Sequence, residues 1–187
     1  MVKRIFDIVC SFIGIALFLP LLLTVALLIH GEDRGPVFFF QERVGGRRQT
    51  IRVFKFRSMR DGEVTRVGRW LRATGIDEVP QFFNVLMGDM SVVGPRPLTQ
   101  DDIERLGWDE SRYDRRWDVR PGITGLAQLH GGRSARVSWF LDLRYLRVQS
   151  VWLDAWLVFL SFVVNVVGKR RVRGWLQGKS CKQSGAR

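Results

Sequence analysis

The run IVCSFIGIALFLPLLLTVALLI, Ile8 to Ile29, decides how the rest of the chain is read. Its 22 residues carry no charge, and Pro20 interrupts them. That length suffices to cross a bilayer core. A signal peptide fits less well, because the run is long and no small-residue cleavage site follows it. Pro20 removes a backbone hydrogen bond near the middle of the run, which kinks a helix there. Basic residues lie on both sides: Lys3 and Arg4 before, and Arg34, Arg43, Arg47 and Arg48 after. The positive-inside bias pulls both ends toward the cytoplasmic side. The residues alone leave two forms open. One is a plain span. The other is a helix that enters, bends at Leu19-Pro20 and returns.

The 187 residues suffice for one domain with a real core, and the net charge of +12 points to anionic partners. Nucleic acid, an anionic membrane face and phosphorylated substrates all fit that charge. Nucleic acid is disfavoured by the aromatic residues, which sit in apolar runs rather than among the basic ones. Two cysteines, Cys10 and Cys181, make no disulfide framework, and two histidines, His30 and His130, make no zinc site.

Beyond the apolar run, Gly35 to Ser58 reads as extended structure. Gly35-Pro36-Val37-Phe38-Phe39-Phe40 is aromatic, and Gln49 to Arg57 alternates apolar with basic residues. Gly45-Gly46 between them predicts a hairpin. Lys55 and Arg57 fall on one strand face, as a solvated edge or as a phosphate clamp. Val67 to Ala73 reads as a short basic helix carrying Arg69 and Arg72.

That helix leads into Thr74-Gly75-Ile76-Asp77-Glu78-Val79-Pro80-Gln81. Pro80 suits the first turn of a helix, and Gly88 suits its stop. Asp77 then lies near a helix N-terminus, where an ionised carboxylate or a bound phosphate is favoured. It is read either as a plain N-cap or as a reactive group. Further on, Pro95 and Pro97 hold Arg96 in a rigid extended turn. Thr99 opens a polar helical stretch to about Trp117. Arg120-Pro121-Gly122-Ile123-Thr124-Gly125-Leu126-Ala127-Gln128, with Arg133 beyond, reads as a glycine-rich loop able to meet phosphate. His130 in that loop is a weak ligand candidate. A helix over residues 137–150 carries Asp142. The Trp-rich segment Val151 to Val167 reads as lying in the membrane interface. Lys169 to Arg173 suits an anionic leaflet, and a polar tail follows from Gly174.

These pieces together resemble a known family, the small monotopic bacterial sugar transferases, or polyprenyl-phosphate phosphoglycosyl transferases. The matching stretches are Lys3-Arg4-Ile5-Phe6-Asp7, Gly35-Pro36-Val37-Phe38-Phe39, Gln41-Glu42-Arg43-Val44-Gly45 and Lys55-Phe56-Arg57-Ser58-Met59. They continue through Asp77-Glu78-Val79-Pro80-Gln81, Asn84-Val85-Leu86, Gly88-Asp89-Met90-Ser91, Val93-Gly94-Pro95-Arg96-Pro97 and Arg120-Pro121-Gly122-Ile123-Thr124-Gly125. The resemblance runs from about Lys3 to Val167. It departs at Gly75-Ile76, at the short loop after Met59, and at His130-Gly131-Gly132-Arg133.

The resemblance implies an α/β fold, mostly α, in three parts. Residues 1–30 would form a re-entrant membrane helix, broken at Leu19 and Pro20. Residues 31–173 would form a compact cytoplasmic catalytic domain with interfacial amphipathic helices, and residues 174–187 a basic polar tail. It implies transfer of a phosphosugar from a UDP-sugar to polyprenol (undecaprenyl) phosphate with release of UMP, at the first membrane step of a surface glycoconjugate pathway. Asp77 is then the nucleophile and a Mg²⁺ ligand, with Glu78 its partner. Lys55, Arg57, Arg72, Pro95, Arg96, Pro97, Arg120, Gly122, Thr124, Gly125, Gln128, Arg133 and Asp142 would meet substrate. Anionic lipids of the bacterial inner membrane would be partners, and a homo-oligomer stays open. The alternative is a catalytically silent scaffold of the same fold in an envelope polysaccharide complex, against which the intact Asp77 and Glu78 argue.

Overall fold

The computed structural model describes residues 1–131 and 134–167. The expectations for Arg133, for Lys169 to Arg173 and for the tail lie outside them.

Helix α1, Val2–Asp33, takes up the whole apolar run and ends at Arg34, whose left-handed backbone (φ 55°) turns its N–H back to the carbonyl of His30. Helical backbone continues through Leu19 and Pro20, so the expected break is no interruption of the helix. The hydroxyl of Thr24 donates to the carbonyl of Pro20 at 2.8 Å.

One stripe of α1 is buried: Asp7, Ser11, Gly14, Leu22, Val25 and Ile29, with Phe18 and Leu21 partly covered between them. This three-to-four spacing keeps a single helix face on the domain for the helix's full length. The opposite face leaves Ile5, Phe12, Ile13, Leu17, Leu23 and Leu27 exposed.

Both ends of α1 are bonded to the same domain. At the start, Lys3 donates to Asp154 Oδ2 at 2.6 Å and to the carbonyl of Val93 at 3.2 Å. Arg4 donates to the carbonyls of Val85 and Leu86 at 2.6 and 2.9 Å. Asp7 accepts from the Ser91 hydroxyl and the Val92 N–H. At the far end, Asp33 pairs with Arg57, and Glu32 accepts from the N–H of Arg66 at 2.8 Å.

Strands β1, Phe38–Val44, and β2, Thr50–Phe56, form the expected antiparallel hairpin, in register from Phe38 opposite Phe56 to Val44 opposite Thr50. A second, two-residue hairpin follows: β3, Met59–Arg60, and β4, Glu63–Val64. Helix α2, Arg66–Thr74, starts on the Thr65 side-chain cap and stops at Gly75 (φ 76°). A 3₁₀ turn, Ile76–Glu78, then leads through Pro80 into helix α3, Gln81–Met87, which Gly88 ends at φ 100°.

Strand β5, Ser91–Val93, pairs in parallel with β6, Gly122–Thr124. Between them, helix α4, Gln100–Leu106, opens with the Thr99/Asp102 capping box. It is far shorter than the stretch expected to reach Trp117. Gly107 (φ 65°) ends it, and the rest is a 3₁₀ helix, Ser111–Asp118. Helices α5, Leu126–Leu129, α6, Ala135–Val148, and α7, Val151–Val167, complete the α/β, mostly helical, fold of the described residues. In α7, Asp154 and Leu157 are buried while Trp152, Trp156, Phe159 and Phe162 are exposed. The main core joins β2, α3, β5, α6 and α7 through Val53, Val85, Met90, Val93, Tyr145 and Leu157.

Candidate functional site

The β1–β2 register supplies the first wall. Residues directly opposite in an antiparallel pair share a face. Arg43 faces Ile51, Gln41 faces Val53 and Phe39 faces Lys55, so one side of the hairpin carries Arg43, Val53 and Lys55. These three line a cavity. The second wall is the turn before α3, which brings Glu78 and the start of α3, Gln81. Arg96 and Pro97 close the third side, and Gly122, Ile123 and Gln128 the fourth.

Glu78 lies between two cations. Its Oε1 is 3.2 Å from Lys55 Nζ and 3.5 Å from Arg96 Nη2. Asp77 adjoins it in the same 3₁₀ turn. Burial pushes the Asp77 carboxyl above its ordinary range and the Glu78 charge adds to the rise, while Lys55 and Arg72 oppose it. Arg72 is itself steadied by the Ser58 hydroxyl, to which its Nε donates at 2.9 Å. Arg43 reaches Asp102 at 3.2 Å and Gln41 at 2.7 Å. Glu78 thus meets several cations in the cleft, with the Asp77 carboxylate beside it. Such a cleft can neutralise phosphate charge and present a carboxylate oxygen to phosphorus.

Of the expected site residues, Glu78, Lys55, Arg96, Pro97, Gly122 and Gln128 meet in the cavity, and Asp77 and Arg72 stand beside it. Pro95 contributes a carbonyl that accepts from the Gly122 N–H at 2.8 Å. Others are placed elsewhere. Arg57 pairs with Asp33, and the space for its guanidinium comes from Gly35, where a Cβ would lie 2.4 Å from Arg57 Nη1. Asp142 is buried against Arg116 at 2.8 Å rather than open to substrate. The Thr124 hydroxyl bonds Ser161 of α7. Gly125 and Gly122 are small because the Gly94 backbone lies on them, a Cβ at either meeting its atoms at 2.2 and 2.0 Å. The glycines therefore allow close backbone packing first. Arg120 is exposed.

Sequence reading missed Arg43, Gln81, Val53 and Ile123 as lining residues. Arg43 had a usable signal: pairing the strands across Gly45-Gly46 puts it on the face of Lys55. Among the described residues, three or more metal-ligating side chains do not gather in one place. The adjacent Asp77 and Glu78 nevertheless fit Mg²⁺, which takes one or two carboxylates and fills the rest with water and substrate phosphate.

A sequence model described as bacterial sugar transferase matches residues 1–168. Undecaprenyl-phosphate glucose phosphotransferase of Komagataeibacter xylinus is 42% identical over 184 residues, covering 85% of this chain and 35% of that protein. A UDP-N-acetylgalactosamine-undecaprenyl-phosphate N-acetylgalactosaminephosphotransferase of Aeromonas hydrophila is 43% identical, covering 89% of this chain and 44% of its own. The chain thus spans less than half the length of these two relatives. The exopolysaccharide production protein PSS of Rhizobium leguminosarum bv. phaseoli, 40% identical, is covered over 93% of its length and covers 86% of this chain. With the family's sequence model matched along nearly the whole chain, this protein belongs to the bacterial sugar transferase family.

Proposed function

We propose that this protein moves a sugar phosphate from a UDP-sugar to a polyprenol phosphate, releasing UMP. Undecaprenyl phosphate is the acceptor named for its relatives. The observation that carries the reading is Glu78 set against Lys55 and Arg96 in one cleft, with the half-buried Asp77 adjoining it.

In the proposed reaction a carboxylate oxygen of Asp77 attacks the sugar-bearing phosphorus. The bond from that phosphorus to the bridging oxygen breaks, and UMP leaves with the oxygen. An oxygen of the lipid phosphate then attacks the same phosphorus. The acyl-phosphate bond breaks, the Asp77 carboxylate returns, and the product is a polyprenol diphosphosugar. Phosphoryl transfer needs positioning and charge neutralisation more than covalent machinery. Lys55, Arg96, Arg43 and Arg72 supply the positive charge. Glu78 holds Lys55 toward the reacting phosphorus. Asp77 and Glu78 would hold Mg²⁺, which when bound would neutralise further phosphate charge.

The apolar outer face of α1 and the exposed Trp and Phe residues of α7 support a monotopic placement in the inner membrane, with the cleft on the cytoplasmic side at headgroup height. The net charge of +12 favours an anionic leaflet.

The test is intact-protein mass after incubation with Mg²⁺ and a panel of UDP-sugars without lipid, alongside UMP release. An adduct of one phosphosugar, absent from Asp77→Asn, is expected. UMP release only with lipid present, and never an adduct, would overturn the covalent route.

A further inference from the structure

Arg96 has little of its own to hold it. Its side chain is 51% exposed and its approach to Glu78, at 3.5 Å, is long. An exposed arginine whose ion pair among the described residues is this long samples many rotamers. Its position must therefore come from the backbone that carries it.

That backbone is gripped at every carbonyl. Pro95 O accepts from the Gly122 N–H at 2.8 Å, and Leu98 O accepts from the Val44 N–H at 2.8 Å. Pro97 O takes a longer bond from Arg43 Nη1 at 3.4 Å. Arg96 O accepts from Arg116 Nη2 at 2.6 Å. Pro95 and Pro97 fix their own φ angles and restrict the residues before them.

Arg116 stands behind this wall, only 3% exposed. Its Nε donates to Asp142 Oδ2 at 2.8 Å. Its guanidinium carbon lies 4.8 Å from the ring centre of Trp117 and 5.2 Å from that of Trp108. An ion pair buried this deeply is weak evidence for stability, since apolar side chains of similar volume often do as well or better. What an apolar pair cannot do is donate to the carbonyl of Arg96. The planar fork of an arginine can serve Asp142 with one nitrogen and Arg96 O with another.

We infer that Arg116, oriented by Asp142, is a positioning residue: it clamps the carbonyl of Arg96 and thereby aims the Arg96 guanidinium at Glu78. The kinetic consequence rests on the phosphoryl-transfer reading above, whereas the clamp itself does not.

The experiment is a double-mutant cycle of Arg116→Lys with Arg96→Ala, read as kcat/KM for UMP release. Lysine keeps the charge and loses the fork. With Arg96 present, Arg116→Lys is expected to lower kcat/KM by about tenfold or more, and in the Arg96→Ala background by less than about twofold. Equal losses in both backgrounds would overturn the inference in favour of a general structural role. Hydrogen exchange of the amides that donate into this segment provides a reading independent of turnover. Faster exchange of the Val44 and Gly122 amides, which donate to the Leu98 and Pro95 carbonyls, is expected in Arg116→Lys, and wild-type protection there would overturn the clamp. If wild type released no UMP from any UDP-sugar, the proposed reaction would fall and the exchange result would still decide the clamp. Should Arg116→Lys fail to fold, Asp142→Asn goes through the same cycle and exchange measurement with the same expected outcomes.

Discussion

Asp77 is held at odds with its own ionisation. Burial raises its pKa first and the Glu78 charge second, while Lys55 and Arg72 pull it down. A carboxyl whose folded pKa lies above its unfolded value contributes stability below the unfolded pKa and loses it as pH rises through the folded one. At neutral pH the ionised Asp77 therefore costs stability, in keeping with strain placed at a reactive site. Asp77→Asn is expected to remove adduct formation by more than about a thousandfold and to leave the thermal midpoint at pH 7 equal to or above wild type. That advantage should shrink in acid, where wild-type Asp77 is also neutral. Paired melting curves at pH 4 and pH 7 check it, and a midpoint below wild type at pH 7 would contradict the sign. Glu78→Gln removes the second cause of the rise and leaves the first. Any residual adduct formation in that variant should have its acid limb moved to lower pH than wild type, and an unmoved limb would contradict the Glu78 contribution.

Between elements, Asn84 couples the strand that carries Lys55 to the helix that follows Glu78. It is fully buried on α3, its Oδ1 accepting from the Phe54 N–H at 2.8 Å and its Nδ2 donating to the Arg52 carbonyl at 2.6 Å. The side-chain amide thus extends the edge of β2 as a neighbouring strand would. Asn84→Ala strands both backbone groups, at roughly 1–3 kcal/mol each. Urea unfolding should lose about 2–5 kcal/mol, and kcat/KM should fall as Lys55 and Glu78 drift apart. Gly122→Ala is expected to be severe too, because a Cβ would meet the Gly94 nitrogen at 2.0 Å. A loss of about 3 kcal/mol fits such backbone overpacking.

Local signals made part of this legible. Pro80 and Gly88 bounded α3, Gly45-Gly46 marked the hairpin, and Thr99 marked the start of α4. The β5–β6 pair was not legible, because Ser91 meets Gly122 across 31 residues and each strand has three. No local period announces such a contact, so its glycines resembled a phosphate cradle. Asp142 misled for a related reason. Whether a carboxylate meets substrate or a buried arginine depends on Arg116, which lies in another element. Gly107 was the reverse case, a local stop inside a polar stretch that still reads as helical beyond it.

At the scale of the whole molecule, α1 is apolar enough to span a membrane, whereas the proposed monotopic placement requires that it does not. Extended straight through a bilayer, it would have to carry one end away from the domain. Both ends are committed there, Lys3, Arg4 and Asp7 at one and Glu32 and Asp33 at the other. Withdrawing the first end would leave the buried Asp154 without Lys3 and take the buried Asp7 away from the Ser91 hydroxyl and the Val92 N–H. Breaking a buried pair from one side costs about 3–5 kcal/mol. Withdrawing the other end would strip Leu22, Val25 and Ile29 from Phe56 and Leu71. The helix can instead keep its buried stripe on the domain and offer Phe12, Leu17, Leu23 and Leu27 to acyl chains, which satisfies both faces. A single cysteine at residue 2 and another at residue 31, each in a Cys10→Ser, Cys181→Ser background, should then react with a membrane-impermeant maleimide from the same, cytoplasmic side. Intact spheroplasts should protect both, and inverted vesicles should label both. Labelling of one position from each side would mean that α1 crosses the bilayer and that the contacts at one of its ends do not survive in the membrane.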